Sequence, residues 1–101
     1  MKKVLILGAG LSGIGSAELA KRNSLDILLS ESNEIDAKIK SKLKKLDIEF
    51  EENSHTNAKT YSADVVIKSP GIPDESEIIN SLSKKGFSII SEIEFASLFS
   101  S

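Results

Sequence analysis

The sequence predicts an α/β fold in which a parallel five-stranded sheet carries helices on both faces. Three observations support that expectation. Short apolar runs of strand length recur along the 101 residues with few polar interruptions, the pattern of strands buried on both faces. Stretches with apolar residues at helical spacing separate them. Glycine, proline or a capping serine marks the junctions. Strands that alternate with helices lie parallel, and right-handed crossovers wind the sheet outward in both directions from its middle, giving a doubly wound, Rossmann-like arrangement.

The elements follow in order. Val4–Leu7 reads as the first strand, since glycine follows it at once. Leu11, Ile14, Ala17 and Leu19–Ala20 fall near helical spacing and predict a helix ending around Lys21–Asn23. Ile27–Leu29 is the second strand. Ser32 or Asn33 is placed to cap a second helix, with Ile35, Ile39, Leu43 and Leu46 on one face and lysines on the other. Ile48–Phe50 is a short third strand, and the polar stretch 53–62 a loop with one short helical turn. Val65–Ile67 is the fourth strand. Pro73 suits a first helical turn, with Asp74 and Glu75 at the positive end of a helix dipole, Ile78, Ile79 and Leu82 on its apolar face and Gly86 as its terminator. Phe87–Ile90 is the fifth strand. "SEIE" at 91–94 is a capping box opening a last helix, with Ile93, Leu98 and Phe99 available for packing.

Composition bounds the function. One domain, residues 1–101, fits this length. Forty per cent of the residues are hydrophobic but only five per cent are aromatic, so the core rests on Ile, Leu, Val and Ala. A net charge of −2 gives no basic surplus for a nucleic-acid partner. Without cysteine there is no disulfide, zinc thiolate or thiol nucleophile. The apolar part of the N-terminus is too short for a signal peptide, and no run approaches the ~20 residues of a membrane span. The expectation is a cytoplasmic protein with no membrane partner.

"GAGLSG" at 8–13 fits G-x-G-x-x-G between a strand and a helix. Gly8 permits the tight turn, Gly10 lets backbone approach a ligand, and Gly13 lets the helix lie close to the strand. The N–H groups opening the helix then face an anion, usually phosphate. The same glycines would also serve a bare strand-to-helix turn. Glu31 lies 18 residues beyond Gly13, at the end of the second strand. An acid there accepts from ribose hydroxyls or from a nucleobase N–H, or is simply solvated. Ser30 and Ser32 add small polar groups to the same rim. In a doubly wound sheet the fourth strand lies beside the first, and ligands bind at the carboxyl ends where the winding reverses. "SPGI", Ser69–Ile72, ends that fourth strand, so Ser69, Pro70 and Gly71 face the glycine turn. Proline stops the ladder there, and Gly71 leaves backbone free to line the crevice. A plain turn accounts for the same residues.

Together "LGAGLSGIGSAELA", "LLSES" and "VVIKSPGIP…ISEIEFA" resemble the amino-terminal domain of the Mur ligases over essentially the whole chain, with "SPGI" and "EIE" the most discriminating parts. The resemblance is greatest to the branch that joins D-glutamate to UDP-MurNAc-L-Ala. It implies a three-domain parent in peptidoglycan synthesis that activates a carboxylate as an acyl phosphate with ATP and Mg2+. This domain would hold the UDP-sugar, UDP-MurNAc-L-Ala or UDP itself. By position, Leu11 and Ser12 would meet the diphosphate and sugar, Glu31 and Ser32 would flank the uracil with Glu31 accepting from its ring N–H, and Gly71 would line the uridine side. Glu31 stands where the family often has Asp, and Asn33 where some members have Arg. The chain stops at Ser101, where the family's ATP-binding domain would begin. The expectation is therefore a substrate-recognition fragment, inactive by itself and without a cofactor of its own.

No G-x-x-x-x-G-K-[ST] loop and no Lys/His/Glu cluster suggests an ATP or magnesium site here. The only histidine, His55, reads as a surface loop residue, since no companion acid or nucleophile is evident, and the lysines around 38–45 as a solvated helix face. Two other classes compete. The glycine turn and Glu31 also suit a nicotinamide-binding module of a dehydrogenase, or a regulatory nucleotide-sensing domain of the kind found in potassium-uptake proteins.

Overall fold

The computed structural model describes residues 1–99; the chain end at Ser101 lies outside them. Five parallel strands, β1 (Lys3–Leu7), β2 (Asp26–Ser30), β3 (Glu49–Glu51), β4 (Val65–Lys68) and β5 (Ile89–Ser91), form one sheet in the order β3-β2-β1-β4-β5. This is the predicted doubly wound sheet, with β1 and β4 adjacent at the reversal. Val4 pairs with Ile27 on one side and Val65 on the other, so β1 is central and its last four residues are buried.

Alternate strand residues feed two cores. On one face Val4, Ile6, Ile27, Leu29, Val65 and Ile67 pack under α1 (Leu11–Arg22), α2 (Ala37–Lys45) and α4 (Glu92–Ser97), meeting Ile14, Ala17, Ala20, Leu43 and Phe95. On the other face Leu5, Leu7, Leu28 and Val66 meet α3 (Glu77–Lys84) through Ile78, Ile79 and Leu82, and a short 3-10 turn (Ala58–Thr60) through Ala58. Each fully buried Leu, Ile or Phe contributes ~1.5–3 kcal/mol.

The three crossover helices end alike. After α1, α2 and α3 a residue in the left-handed region (Ser24 at φ 59°, Asp47 at φ 56°, Gly86 at φ 87°) reverses the chain. The next residue, Leu25, Ile48 or Phe87, donates its N–H back to the carbonyl of Ala20, Leu43 or Leu82. This paired cap satisfies the last carbonyls and leads toward the next strand through an apolar residue. Gly86 was legible as a terminator. Ser24 and Asp47 were not, because polar residues visit this conformation less often than glycine.

Several boundaries move for physical reasons. Ile48 and Phe87 are used by the helix caps, so β3 and β5 begin later than expected. Neither Ser32 nor Asn33 caps α2: its N-cap is Asp36. Residues 31–35 are held in a turn instead, because Asn33 N–H donates to Glu31 Oε2 (3.0 Å) and Ile35 N–H to Glu52 Oε1 (2.9 Å). Pro73 precedes α3 rather than opening it; Ser76 is the N-cap and its N–H closes a turn on the Pro73 carbonyl. In α4 the capping box forms in both directions between Ser91 and Glu94. Ile93 and Leu98, expected to pack, are 77% and 57% exposed, and Phe95 fills the core in their place with the Phe99 ring edge-on to it. Ser30, expected on the rim, is fully buried.

Candidate functional site

The carboxyl ends of β1 and β4 open into a cleft of about 660 Å³, within the size range of small-molecule sites. One wall is the glycine turn. Gly8 sits at φ 107°, which L side chains rarely adopt, and its N–H donates to the Ser30 carbonyl (2.9 Å). Gly13 lies in the first turn of α1 on its buried face, where a Cβ would land on the Gly8 carbonyl oxygen. Gly10 is the helix N-cap, exposed, with open space where its Cβ would be. The first helical bond runs from Ile14 N–H to the Gly10 carbonyl (3.1 Å), and the N–H groups of Leu11, Ser12 and Gly13 find no acceptor among the described residues. A helix start with free amides and no side-chain cap is a ready anion site.

The facing wall is the Ser69–Pro73 stretch. Ser69 N–H still reaches the Leu7 carbonyl (3.1 Å), Pro70 then offers no donor, and Ile72 N–H closes a four-residue turn on the Ser69 carbonyl (3.1 Å). Gly71 is the third residue of that turn, yet its φ is not positive, so the backbone does not demand glycine there. A Cβ on Gly71 would also meet nothing within 4 Å. Lys68 pins the turn from behind, donating from Nζ to the Ile72 carbonyl (2.7 Å) and pairing with Asp74 (3.2 Å).

The third wall comes from the ends of β2 and β3. Glu31 is half-buried; its Oε1 accepts from Ala9 N–H (2.8 Å) in the glycine turn and its Oε2 from Asn33 N–H. The carboxylate is thus fixed by two amides and keeps lone pairs for a ligand donor. Ser32 and Asn33 line the cleft beside it.

Of the residues singled out in the sequence, Gly10, Ser12, Glu31, Ser32, Ser69, Pro70 and Gly71 line this one cleft. Gly13 lies beneath it, and the Leu11 side chain points to solvent at 89% exposure, leaving only its backbone near the site. His55, read as a plain surface loop residue, also lines the cleft. Its Nδ1 is 2.7 Å from the buried Ser30 Oγ, and burial holds its pKa below the usual histidine value, with Glu51 and Glu31 pulling up and Lys59 pushing down. The signal was available: a loop that follows β3 emerges on the same carboxyl edge as Glu31. Ile72, Pro73, Ser76, Glu77 and Ile78 complete the lining.

The chain's residues 3–78 match the family model described as the MurD N-terminal domain. The chain belongs to that family. A UDP-N-acetylmuramoylalanine--D-glutamate ligase of Christiangramia forsetii is 54% identical over 99 residues, covering 98% of this chain and 22% of that protein. The ligase of the same name from Bacteroides fragilis is 47% identical over 96 residues, covering 95% of the chain and 22% of its own length. The chain therefore spans about a fifth of the length of these relatives. Among solved structures, a murein peptide ligase of Psychrobacter arcticus superposes with a TM-score of 0.87 at 20% identity, over 98% of this chain and 21% of that one. A UDP-N-acetylmuramate-alanine ligase of Thermotoga maritima gives 0.77 at 23% identity, over 95% and 22%. These likenesses establish that the MurD N-terminal domain shares its fold with other Mur ligases. The expected five-stranded Rossmann-like domain of a Mur ligase is what the chain forms.

Proposed function

We propose that this chain is the substrate-recognition domain of an ATP-dependent ligase that joins D-glutamate to UDP-MurNAc-L-Ala in cytoplasmic peptidoglycan synthesis, and that its cleft seats the uridine diphosphate end of that substrate. The observation that carries the reading is the facing of two bare backbone stretches, Gly10–Gly13 and Ser69–Gly71, across one cleft with Glu31 between them. Gly71 has neither a positive φ nor a clash that demands glycine, so a ligand that occupies the space explains it, and Gly10, which also serves as the N-cap of α1, leaves the facing side open.

In this arrangement the amides of Leu11, Ser12 and Gly13 meet the diphosphate, helped by the positive end of α1. Glu31 accepts from the uracil ring N–H, Ser32 lies beside it, and Gly71 with Ser69 and Pro70 closes over the uridine. Among the described residues no Lys or Arg lines the cleft, so amide dipoles rather than an ion pair hold the phosphates. The described residues contain no group of three His, Cys, Asp or Glu that fits a metal ion, and the sequence has no ATP-cradling loop. ATP and Mg2+ are assigned to the rest of the parent protein, as is catalysis; the chain alone is expected to be inactive. No described helix is long and apolar enough to cross a membrane.

A second reading is supported by one observation. The chain superposes with a TM-score of 0.66, at 26% identity, on a prephenate dehydrogenase of A. aeolicus in complex with NAD+, over 90% of this chain and 33% of that one. Calorimetric titration with UDP and with NADH separates the two. Saturable UDP binding with weaker NADH binding is expected; a preference for NADH would transfer the cleft to the dinucleotide reading.

A further inference from the structure

The hydrogen bonds around Ser30 fix the state of the only histidine. Ser30 Oγ is completely buried and lies 2.8 Å from Glu51 Oε2 as well as 2.7 Å from His55 Nδ1. The Glu51 carboxylate also accepts from the N–H groups of Asn57 (2.9 Å) and Ala58 (2.8 Å). An ionised carboxylate only accepts, and so does the Ser54 carbonyl at 3.4 Å from Ser30 Oγ; the single Ser30 proton goes to Glu51, the nearer and charged of the two acceptors. Ser30 Oγ then has only lone pairs left for His55, and Nδ1 must carry the imidazole proton. In the neutral ring this makes Nε2 an acceptor, and Nε2 has no partner among the described residues.

We propose that His55 is a specificity-determining residue of the cleft, its Nε2 accepting a hydrogen bond from an N–H or O–H donor of the bound uridine. The inference rests on the uridine diphosphate reading above and adds a second acceptor beside Glu31. Two groups of the ligand share the required chemistry: the ribose hydroxyls, which stay free when Glu31 takes the single uracil imide N–H, and that N–H itself, which His55 takes only in place of Glu31. The cleft favours the neutral ring: burial disfavours the imidazolium, Lys59 opposes it, and the carboxylates Glu51 and Glu31 do not overcome that balance. Glu77, at the start of α3 and also lining the cleft, pairs with Lys59 at 3.4 Å.

The test uses UDP as the probe. At pH 7.5, His55→Ala is expected to weaken UDP binding about tenfold, the loss of one hydrogen bond, and His55→Gln to recover part of it through its amide oxygen. The wild-type advantage over His55→Ala should shrink as pH falls through the His55 pKa, because protonation turns Nε2 from acceptor into donor; taking the ratio cancels the titration of UDP itself. N3-methyl-UDP and 2′-deoxy-UDP identify the donor, since the analogue that lacks it should bind wild type and His55→Ala alike. Independently of any variant, 15N spectra of the sole imidazole should show Nδ1 protonated and Nε2 bare, with Nε2 shifting on UDP addition. A protonated Nε2 in the neutral ring, an unmoved Nε2 signal, equal UDP affinity of His55→Ala, or an advantage that grows in acid would each overturn the inference while leaving the diphosphate site intact. If wild type fails to bind UDP at all, the underlying reading falls and the inference with it.

Discussion

The floor of the cleft and its rim use glycine for opposite reasons. At the floor, Gly8 and Gly13 are demanded by the protein: one adopts φ 107° with Ser69 Oγ 2.5 Å from where its Cβ would be, and the other lies against the Gly8 carbonyl. On the rim, Gly10 and Gly71 have ordinary backbone angles and open space around them. A glycine whose backbone alanine could adopt costs roughly 0.4–1 kcal/mol through the freer unfolded chain, so Gly71 asks for another cause, whereas Gly10 stands at an N-cap, where glycine is preferred to alanine in any case. The difference separates what builds the turn from what leaves room above it, a distinction the G-x-G-x-x-G pattern alone does not draw.

Substitutions can break that division, and the largest effect is expected at the floor. Gly13→Val should destabilise the domain by about 3 kcal/mol or more, since both clashing partners are backbone and neither can rotate away. A melt should fall by more than ~10 °C; a melt near that of the wild type would show that α1 can lift from β1 at little cost. Gly8→Ala should cost at least ~2 kcal/mol, because φ 107° lies outside even the left-handed helical region and Ser69 Cβ, as well as its hydroxyl, must be displaced. Urea titration gives the value, and a neutral result would remove Gly8 from the floor class.

Gly71→Val sharpens the contrast from the other side. Its stability should stay within ~0.5 kcal/mol of the wild type, as for surface changes away from special backbone, while UDP affinity drops at least about tenfold because the side chain occupies the cleft. Normal UDP binding by this variant would reduce Ser69–Ile72 to a plain turn. The smallest effect is expected at Glu31→Gln, which belongs to both classes. Glutamine keeps one acceptor for Ala9 or Asn33 but not both, costing ~1 kcal/mol of stability, and UDP affinity should fall several-fold. Unchanged affinity would leave Glu31 as a support for the glycine turn only.

The sheet was legible because strands buried on both faces are nearly uninterrupted apolar runs, and because β1 ends directly in glycines. The adjacency of β1 and β4 followed from handedness and gave the cleft its two main walls before any coordinates. Helix starts were harder. Ser32 and Asn33 look like caps, but residues 31–35 are held in a turn by a local bond from Asn33 N–H to Glu31 and by a bond from Ile35 N–H to Glu52, 17 residues away, which local sequence does not reveal. Phe95 was overlooked in favour of Ile93 and Leu98 because a helix as short as α4, six residues, has too few turns to display a periodic face. His55 was missed for a different reason. Its partners Ser30 and Glu51 are 25 and 4 residues away, and only the pairing of Ser30 with Glu51 across β2 and β3 brings them to one hydroxyl.

Amide chemical-shift mapping of this chain during a UDP titration tests the diphosphate cleft most directly. Saturable shifts should concentrate at residues 10–13, 31–33, 55, 69, 71 and 72, with the largest at the free amides opening α1. Shifts confined to another surface, or none at saturating UDP, would contradict the assignment of this cleft to the uridine diphosphate.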